Sequence, residues 1–106
     1  HSPNALTGCA YGLFKESVML FYVAVYKEDV QDYWAEVPAL ADCYSNGYSV
    51  TDTLNESCFS IQVCVAAMRV ENRHAKIVQK PLSKLKAMSE YAGAAWHAVK
   101  VDLDGL

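Results

Sequence analysis

Four cysteines are the side chains of this sequence whose type and spacing most directly predict chemistry. They are Cys9, Cys43, Cys58 and Cys64. Their number is even and no two of them form a Cys-x-x-Cys pair, a pattern that favours two disulfide bonds over a zinc site or a thiol redox site. Asn55 begins the sequence Asn-Glu-Ser, an acceptor for N-glycosylation. Together these features predict a secreted, disulfide-stabilised glycoprotein.

The pairing of the cysteines depends on the secondary structure between them. If residues 58–65 form one strand, Cys58 and Cys64 lie about 20 Å apart at roughly 3.3 Å per residue, whereas a disulfide tolerates a Cα separation of about 7 Å. Two pairings then remain open, 9–64 with 43–58 or 9–58 with 43–64. We expect the first, because Cys43 ends a predicted helix just before the chain turns back.

Catalytic chemistry has little support in the sequence. It contains no glycine-rich phosphate loop, no Gly-x-Ser-x-Gly and no His-Glu-x-x-His. We therefore predict no catalytic residue, no cofactor, no metal site and no enzymatic activity. Among the histidines, His97 is the best acid-base candidate. His1 offers an imidazole and an α-amine that could hold copper if it is the mature terminus left by signal removal.

Charge is distributed unevenly along the chain, although the net charge is only −3. Residues 28–56 contain seven acids and no Lys or Arg, whereas residues 69–86 contain six of the nine Lys and Arg and one acid. The basic segment could contact an acidic protein or an anionic membrane surface. Its candidate partner-binding residues are Arg69, Arg73, Lys76, Lys80 and Lys84. Nucleic acid is not expected, because basic and aromatic residues are not interleaved.

Hydrophobic periodicity predicts the elements that would position these residues. Residues 17–26 are apolar at both parities, as expected of a central strand buried on both faces. From Glu28 to Tyr44 apolar residues recur at helical spacing, with a break expected near Pro38. Residues 59–65 alternate between apolar and polar side chains, which predicts a strand with one buried face.

The second half of the chain repeats this pattern. Residues 75–79 can form a hairpin partner for the preceding strand. Pro81 suits a first helical position, and a helical stripe follows it as far as Val99. Alternation from Val99 to Asp104 predicts a last strand. The predicted order is therefore β-α-β-β-α-β in a single domain of residues 1–106.

Right-handed crossovers turn this order into a ferredoxin-like α/β (α+β) sandwich, with two helices on one face of a four-stranded antiparallel sheet. The other face of such a sheet is open, yet the central strand is apolar on both sides. We expect either the apolar extension of residues 1–16, packed on the sheet, or a second copy of the chain to cover that face. The protein is then a monomer or a homodimer through the open sheet face.

The element order of residues 17–104 and the four cysteines resemble the ferredoxin-like killer toxins and secreted effectors of fungi. This resemblance implies a non-enzymatic extracellular protein that binds a target protein or a membrane. Two other functions stay open. One is a protease-inhibitor or prodomain-like module that presents an edge strand or its C-terminal tail to an enzyme. The other is a small dimeric enzyme or ligand binder that uses the open sheet face.

Overall fold

The computed structural model describes residues 17–106, which form one sheet, two α-helices and a 3₁₀ helix. In chain order these are β1 (Val18–Asp29), β2 (Asp32–Glu36), β3 (Tyr44–Gly47), α1 (Val50–Glu71), α2 (Leu82–Ala87), the 3₁₀ helix (Ser89–Tyr91) and β4 (Ala95–Asp102). The strands lie in the order β3-β2-β1-β4, and all neighbours are antiparallel. The predicted class, a four-stranded antiparallel sheet with two helices, is confirmed. The order along the chain differs from the predicted β-α-β-β-α-β.

Strand β1 is a central strand of the sheet, as its two-sided apolar sequence predicts. It pairs with β4 from Val18 opposite Asp102 to Val25 opposite Ala95. Its second half also pairs with β2, which starts a meander through β3. Odd-numbered residues of β1 point to one face of the sheet and even-numbered residues to the other.

Helix α1 covers the odd-numbered face and forms the hydrophobic core with it. On the sheet side, Phe21, Val23 and Val99 are fully buried, and on the helix side Ile61 and Val65 are too. The spacing of the buried helix residues follows one stripe of an α-helix. This layer between sheet and helix is the largest apolar cluster among the described residues.

The predicted helix of residues 28–44 is instead the end of β1, a turn, β2 and the turn leading to β3. Within β2 the side chains alternate: Ala35 is buried in the core, while its neighbour Trp34 lies on the opposite face. The helical pattern counted Tyr33 and Trp34 as one face, although they are on opposite faces. Pairing with β1 overrides the local helical spacing.

The predicted strand of residues 59–65 is wrong, because these residues lie in the middle of α1. Ile61 and Val65 are buried four residues apart, whereas Phe59 and Val63 are exposed, also four residues apart. A helix with apolar stripes on two opposite sides therefore produces the same alternation as a strand. The alternation in the sequence was interpreted with the strand period of two, whereas the segment has the helical period of about 3.6 residues.

The N-terminus of α1 is fixed by a polar cap and a close backbone approach. The Ser49 side chain accepts a hydrogen bond from the Asp52 amide, 3.0 Å, and the Asp52 carboxylate accepts one from the Tyr48 amide, 2.9 Å. A Cβ at Gly47 would lie 2.7 Å from the backbone nitrogen of Thr53. Glycine at the end of β3 thus lets the first turn of α1 pack against the sheet.

The remaining predicted elements are shorter than expected or absent. The helix expected from Pro81 to Val99 ends at Ala87, and Gly93, with a φ of 85°, precedes β4. The predicted last strand exists but begins at Ala95. Residues 75–79 form no strand. Instead, the Gln79 side chain accepts a hydrogen bond from the Tyr22 N–H and donates one to the Leu20 carbonyl, each of 2.9 Å. This part of β1 is not paired with β2.

The extension of residues 1–16, predicted to pack on the sheet, lies outside the described residues. From Ser17 to Leu106, no helix combines the length and apolar character needed to cross a membrane.

Truncating the centre of the core tests the packing of α1 on the sheet. The change Ile61→Ala should lower the free energy of unfolding by about 2–5 kcal/mol, because it leaves a cavity beneath β1. Urea unfolding followed by circular dichroism measures this. The change Asn55→Ala, on the exposed side of the same helix, is the control and should alter stability by less than about 0.5 kcal/mol. Equal effects of the two would contradict this helix orientation.

Candidate partner-binding surfaces

The face of the sheet opposite α1 carries a layer of aromatic side chains. The stacked rings of Tyr26 and Trp34 have centroids 4.3 Å apart, and Tyr44 lies 6.5 Å beyond Trp34. At the other side of β1, Trp96 of β4 meets Tyr91 edge-on at 5.5 Å. We call the five side chains of this layer the aromatic face. Large rings that are partly open to solvent are typical of protein-binding surfaces.

Carboxylates border the aromatic face. The Glu28 carboxylate accepts a hydrogen bond of 2.8 Å from the Trp34 indole N–H and so holds the ring in place. Burial, followed by the negative charge of Glu36, raises the pKa of Tyr26 to about 12. The Tyr26 hydroxyl oxygen is buried and makes no hydrogen bond within residues 17–106. The phenol is therefore neutral at physiological pH, and the surface combines rings with acidic groups.

A second, acidic region lies at the end of the sheet where α1 begins. Asp32, Asp52 and Glu56 line a cleft of about 340 Å³ together with Asn46 and Tyr48. One of its carboxylates, Asp52, is already used in the helix cap. In the part of the chain from Ser17 onward, no group of three or more His, Cys, Asp or Glu side chains could hold a metal ion. The cleft is an acidic surface.

The cysteines are not arranged as the preferred pairing predicts. Cys43 and Cys64 are free thiols, whereas Cys58 is disulfide-bonded. This differs from the expected bridges 9–64 and 43–58: α1 places the Cys64 thiol beside the Cys43 thiol. Burial, and secondly the neighbouring Cys64 thiol, raise the pKa of Cys43 far above its usual range. Cys9 lies outside the described residues.

The predicted basic surface is spread over several segments instead of one element. Arg69 is in the last turn of α1 and donates a hydrogen bond to the Leu106 carbonyl, 3.3 Å. Arg73 follows the helix, Lys76 and Lys80 lie exposed on the extended segment, and Lys84 is on α2. The role of this surface in partner binding stays a prediction.

The two other candidate residues, Asn55 and His97, lie in α1 and β4. Asn55 is exposed on α1, and His97 is half-buried in β4 opposite Val23. The sequence did not reveal the aromatic face, because Trp34 and Tyr44 fall within the predicted helix of residues 28–44. The even-numbered tyrosines of β1, Tyr22 and Tyr26, are the sequence signal that could have identified it.

Residues 21–106 match the family described as HicB_like antitoxin of bacterial toxin-antitoxin system. No curated protein matches the chain. Among solved structures, the N-terminal domain of the Burkholderia pseudomallei antitoxin HicB is 30% identical with a TM-score of 0.69; the match covers 80% of this chain and all of that domain.

The larger Burkholderia pseudomallei HicB structure is also 30% identical over 80% of this chain, with a TM-score of 0.71. The match covers 64% of that antitoxin, so the chain spans under two thirds of its length. A chain of the HicA3 and HicB3 toxin-antitoxin complex is 14% identical with a TM-score of 0.60; the match covers 79% of this chain and 99% of that one. That likeness shows the fold alone.

These matches overturn several expectations. The resemblance to fungal killer toxins and effectors is wrong, as are the protease-inhibitor and small-enzyme alternatives, because the matched family consists of antitoxins. The predicted class, a secreted glycoprotein, is wrong as well, because the matched family consists of antitoxins of bacterial toxin-antitoxin systems. An even cysteine count and one sequon arise by chance too easily to establish a compartment.

Alkylation tests the surroundings of the thiols. In the native protein at pH 8, iodoacetamide should modify the partly exposed Cys64 much faster than Cys43, whose buried thiol stays protonated because its pKa is raised. In urea without reductant, both should react while Cys58 does not. Peptide mass mapping measures each site. Equally fast labelling of Cys43 in the native protein would contradict its burial.

Removing the Tyr26 hydroxyl tests the aromatic face. The change Tyr26→Phe should raise the free energy of unfolding by about 1 kcal/mol, because it deletes a buried hydroxyl that lacks a partner and keeps the ring. Urea unfolding at pH 7 provides the measurement, and Tyr48→Phe, at an exposed ring, should have no effect. A clear loss of stability in Tyr26→Phe alone would show that the hydroxyl is bonded.

Proposed function

The chain belongs to the HicB-like antitoxin family, and from this premise we propose that it neutralises a HicA-like toxin by binding it. The observation on which this proposal rests is the family match, which begins at Phe21 in β1 and includes the other three strands and both helices. A partner of the same kind occurs in the HicA3 and HicB3 complex. The protein acts by binding and not by catalysis.

We place the toxin on the aromatic face. Its rings extend across all four strands of the sheet, from Tyr44 on β3 through Trp34 on β2 and Tyr26 on β1 to Trp96 on β4. Tyr44 is 57% exposed, which leaves much of an aromatic surface in water without a partner. Buried aromatic anchors carry much of the energy of protein interfaces. A rigid sheet also presents them without a large loss of side-chain entropy.

The charge around these rings indicates the chemistry of the toxin surface. Glu28, Glu36 and Glu90 lie beside Trp34, Tyr26 and Tyr91. A complementary surface therefore carries Arg or Lys around an apolar centre. Such cations can bind the carboxylates and also lie over the ring faces. The basic residues Arg73, Lys76 and Lys80, the earlier candidates, are the second surface to be tested.

Calorimetric titration of the purified chain with the HicA toxin from the same organism tests the proposal. Trp34→Ala and Tyr44→Ala should each weaken binding at least tenfold, because each removes a ring from the interface. Tyr48→Ala removes a more exposed ring from the acidic cleft and should leave binding unchanged. Circular dichroism confirms that each variant is folded.

Two outcomes would contradict the proposal at different levels. If the unchanged chain does not bind the toxin and does not relieve toxin-induced growth arrest, the antitoxin function is wrong. If binding persists in Trp34→Ala but is lost on reversing charge at Arg73, Lys76 and Lys80, the toxin occupies the basic surface. The second outcome would leave the function intact and move the interface.

A further inference from the structure

Two free thiols lie beside each other where α1 packs on an edge strand of the sheet. Cys43 immediately precedes β3 and is 2% exposed, whereas Cys64 on α1 is partly exposed. Both are free, although Cys58 of the same helix is disulfide-bonded. Two adjacent thiols have a chemistry that neither has alone, because they can close into a disulfide.

A row of hydrogen bonds aligns α1 with β3. The Ser45 and Ser57 hydroxyls are hydrogen-bonded at 2.7 Å. About one turn further along the helix, the Ser60 hydroxyl donates a hydrogen bond of 3.0 Å to the Tyr44 carbonyl. The helix and the strand therefore run side by side in opposite directions. Residues two apart in an extended chain point to the same face, so Cys43 faces α1 as Ser45 does.

The next residues in this row are the two cysteines. Cys64 lies one turn beyond Ser60, on the same side of the helix, and Cys43 lies one residue before Tyr44. The Val37 amide donates a hydrogen bond of 3.0 Å to the Cys43 carbonyl and so fixes the backbone there. The Cys64 side chain packs against the core cluster that contains Cys43. After burial, the neighbouring Cys64 thiol is the second cause of the raised pKa of Cys43.

We propose that Cys43 and Cys64 form an oxidation-sensitive dithiol, which hydrogen peroxide converts into a disulfide that joins the edge strand β3 to α1. Peroxide reaches Cys64 first, because this thiol is partly exposed and the Cys43 thiol is buried. Cys43 then resolves the oxidised Cys64. An accessible thiol next to a second, resolving thiol is the usual arrangement of redox-sensing cysteines.

The reaction has two steps. The Cys64 sulfur attacks one peroxide oxygen, the O–O bond breaks, and a sulfenic acid forms while the other oxygen leaves as water with the thiol proton. The Cys43 sulfur then attacks the Cys64 sulfur, the S–O bond breaks, and the hydroxyl group leaves as water with the Cys43 proton. The two thiols lose two electrons and two protons in total, and peroxide is reduced to two waters. A dithiol reductant reverses the change.

The disulfide would act on the shortest strand of the described sheet. Strand β3 has four residues and lies at the edge, where β2 is its one neighbour. Segments with few neighbours open locally at the lowest free energy, and a covalent link to α1 restricts that opening. Tyr44 of the aromatic face follows Cys43 directly. The same bond therefore fixes the backbone beneath that ring.

Oxidation of the purified, folded chain with a small excess of hydrogen peroxide tests this proposal. The intact mass should fall by two hydrogen atoms. Iodoacetamide added afterwards, in urea without reductant, should label neither Cys43 nor Cys64, and peptide mapping should find these two residues linked. Dithiothreitol should then restore both thiols. The chain not treated with peroxide is the control, and both thiols should be labelled in urea.

Two single variants separate the roles of the thiols. In Cys43→Ala, peroxide should add oxygen to Cys64, because no second thiol resolves the sulfenic acid. In Cys64→Ala, the buried Cys43 should keep its thiol under the same exposure. Neither variant should lose hydrogen. Circular dichroism confirms the fold of each, and the mapping of the unchanged chain tests the proposal without them.

Hydrogen exchange measures the effect of the link on the sheet. The amides of β3 should exchange about tenfold more slowly in the oxidised chain, whereas those of β4 at the other edge should be unchanged. Addition of oxygen to Cys64 with Cys43 left free in the unchanged chain would overturn the proposal. A link from either thiol to Cys58 or to a second chain would overturn it too, as would unchanged exchange of β3 after complete linkage.

Discussion

The structure depends on one strand that is apolar on both sides. The odd-numbered residues of β1, such as Phe21 and Val23, are buried beneath α1, and the even-numbered Ala24 is fully buried on the opposite face. Because β1 is paired with both β2 and β4, the strand cannot rotate about its axis. Its odd-numbered side chains therefore stay under α1 and its even-numbered side chains stay on the opposite face. The hydrophobic core and the aromatic face are therefore two consequences of the same strand.

Helix α1 has the same two-sided character. Ile61 and Val65 hold the helix on the sheet, whereas Phe59 and Val63 on the opposite side of the helix are exposed. Together, the sheet and the helix give the molecule two opposed surfaces, the aromatic face and the outer side of α1. The core lies between these two surfaces.

The sequence allowed the sheet, its central strand and the last strand to be predicted, because long-range burial leaves period-two and two-sided patterns in β1 and β4. Residues 28–44 and 59–65 were misassigned for a common reason. Short apolar runs fit both the helical and the strand period. Pairing with β1, a tertiary contact, makes residues 32–36 a strand, and the Ser49 cap, a local polar contact, starts the helix that contains residues 59–65. The aromatic face followed from neither composition nor motif, since its rings come from five separate segments.

Fluorine NMR of the chain labelled with 5-fluorotryptophan tests the central claim most directly. The chain has two tryptophans, Trp34 and Trp96, and both lie on the aromatic face, on β2 and β4. When unlabelled HicA toxin is added to saturation, both resonances should shift, because the toxin covers the rings on either side of β1. Formation of a complex with both resonances unchanged would contradict the account.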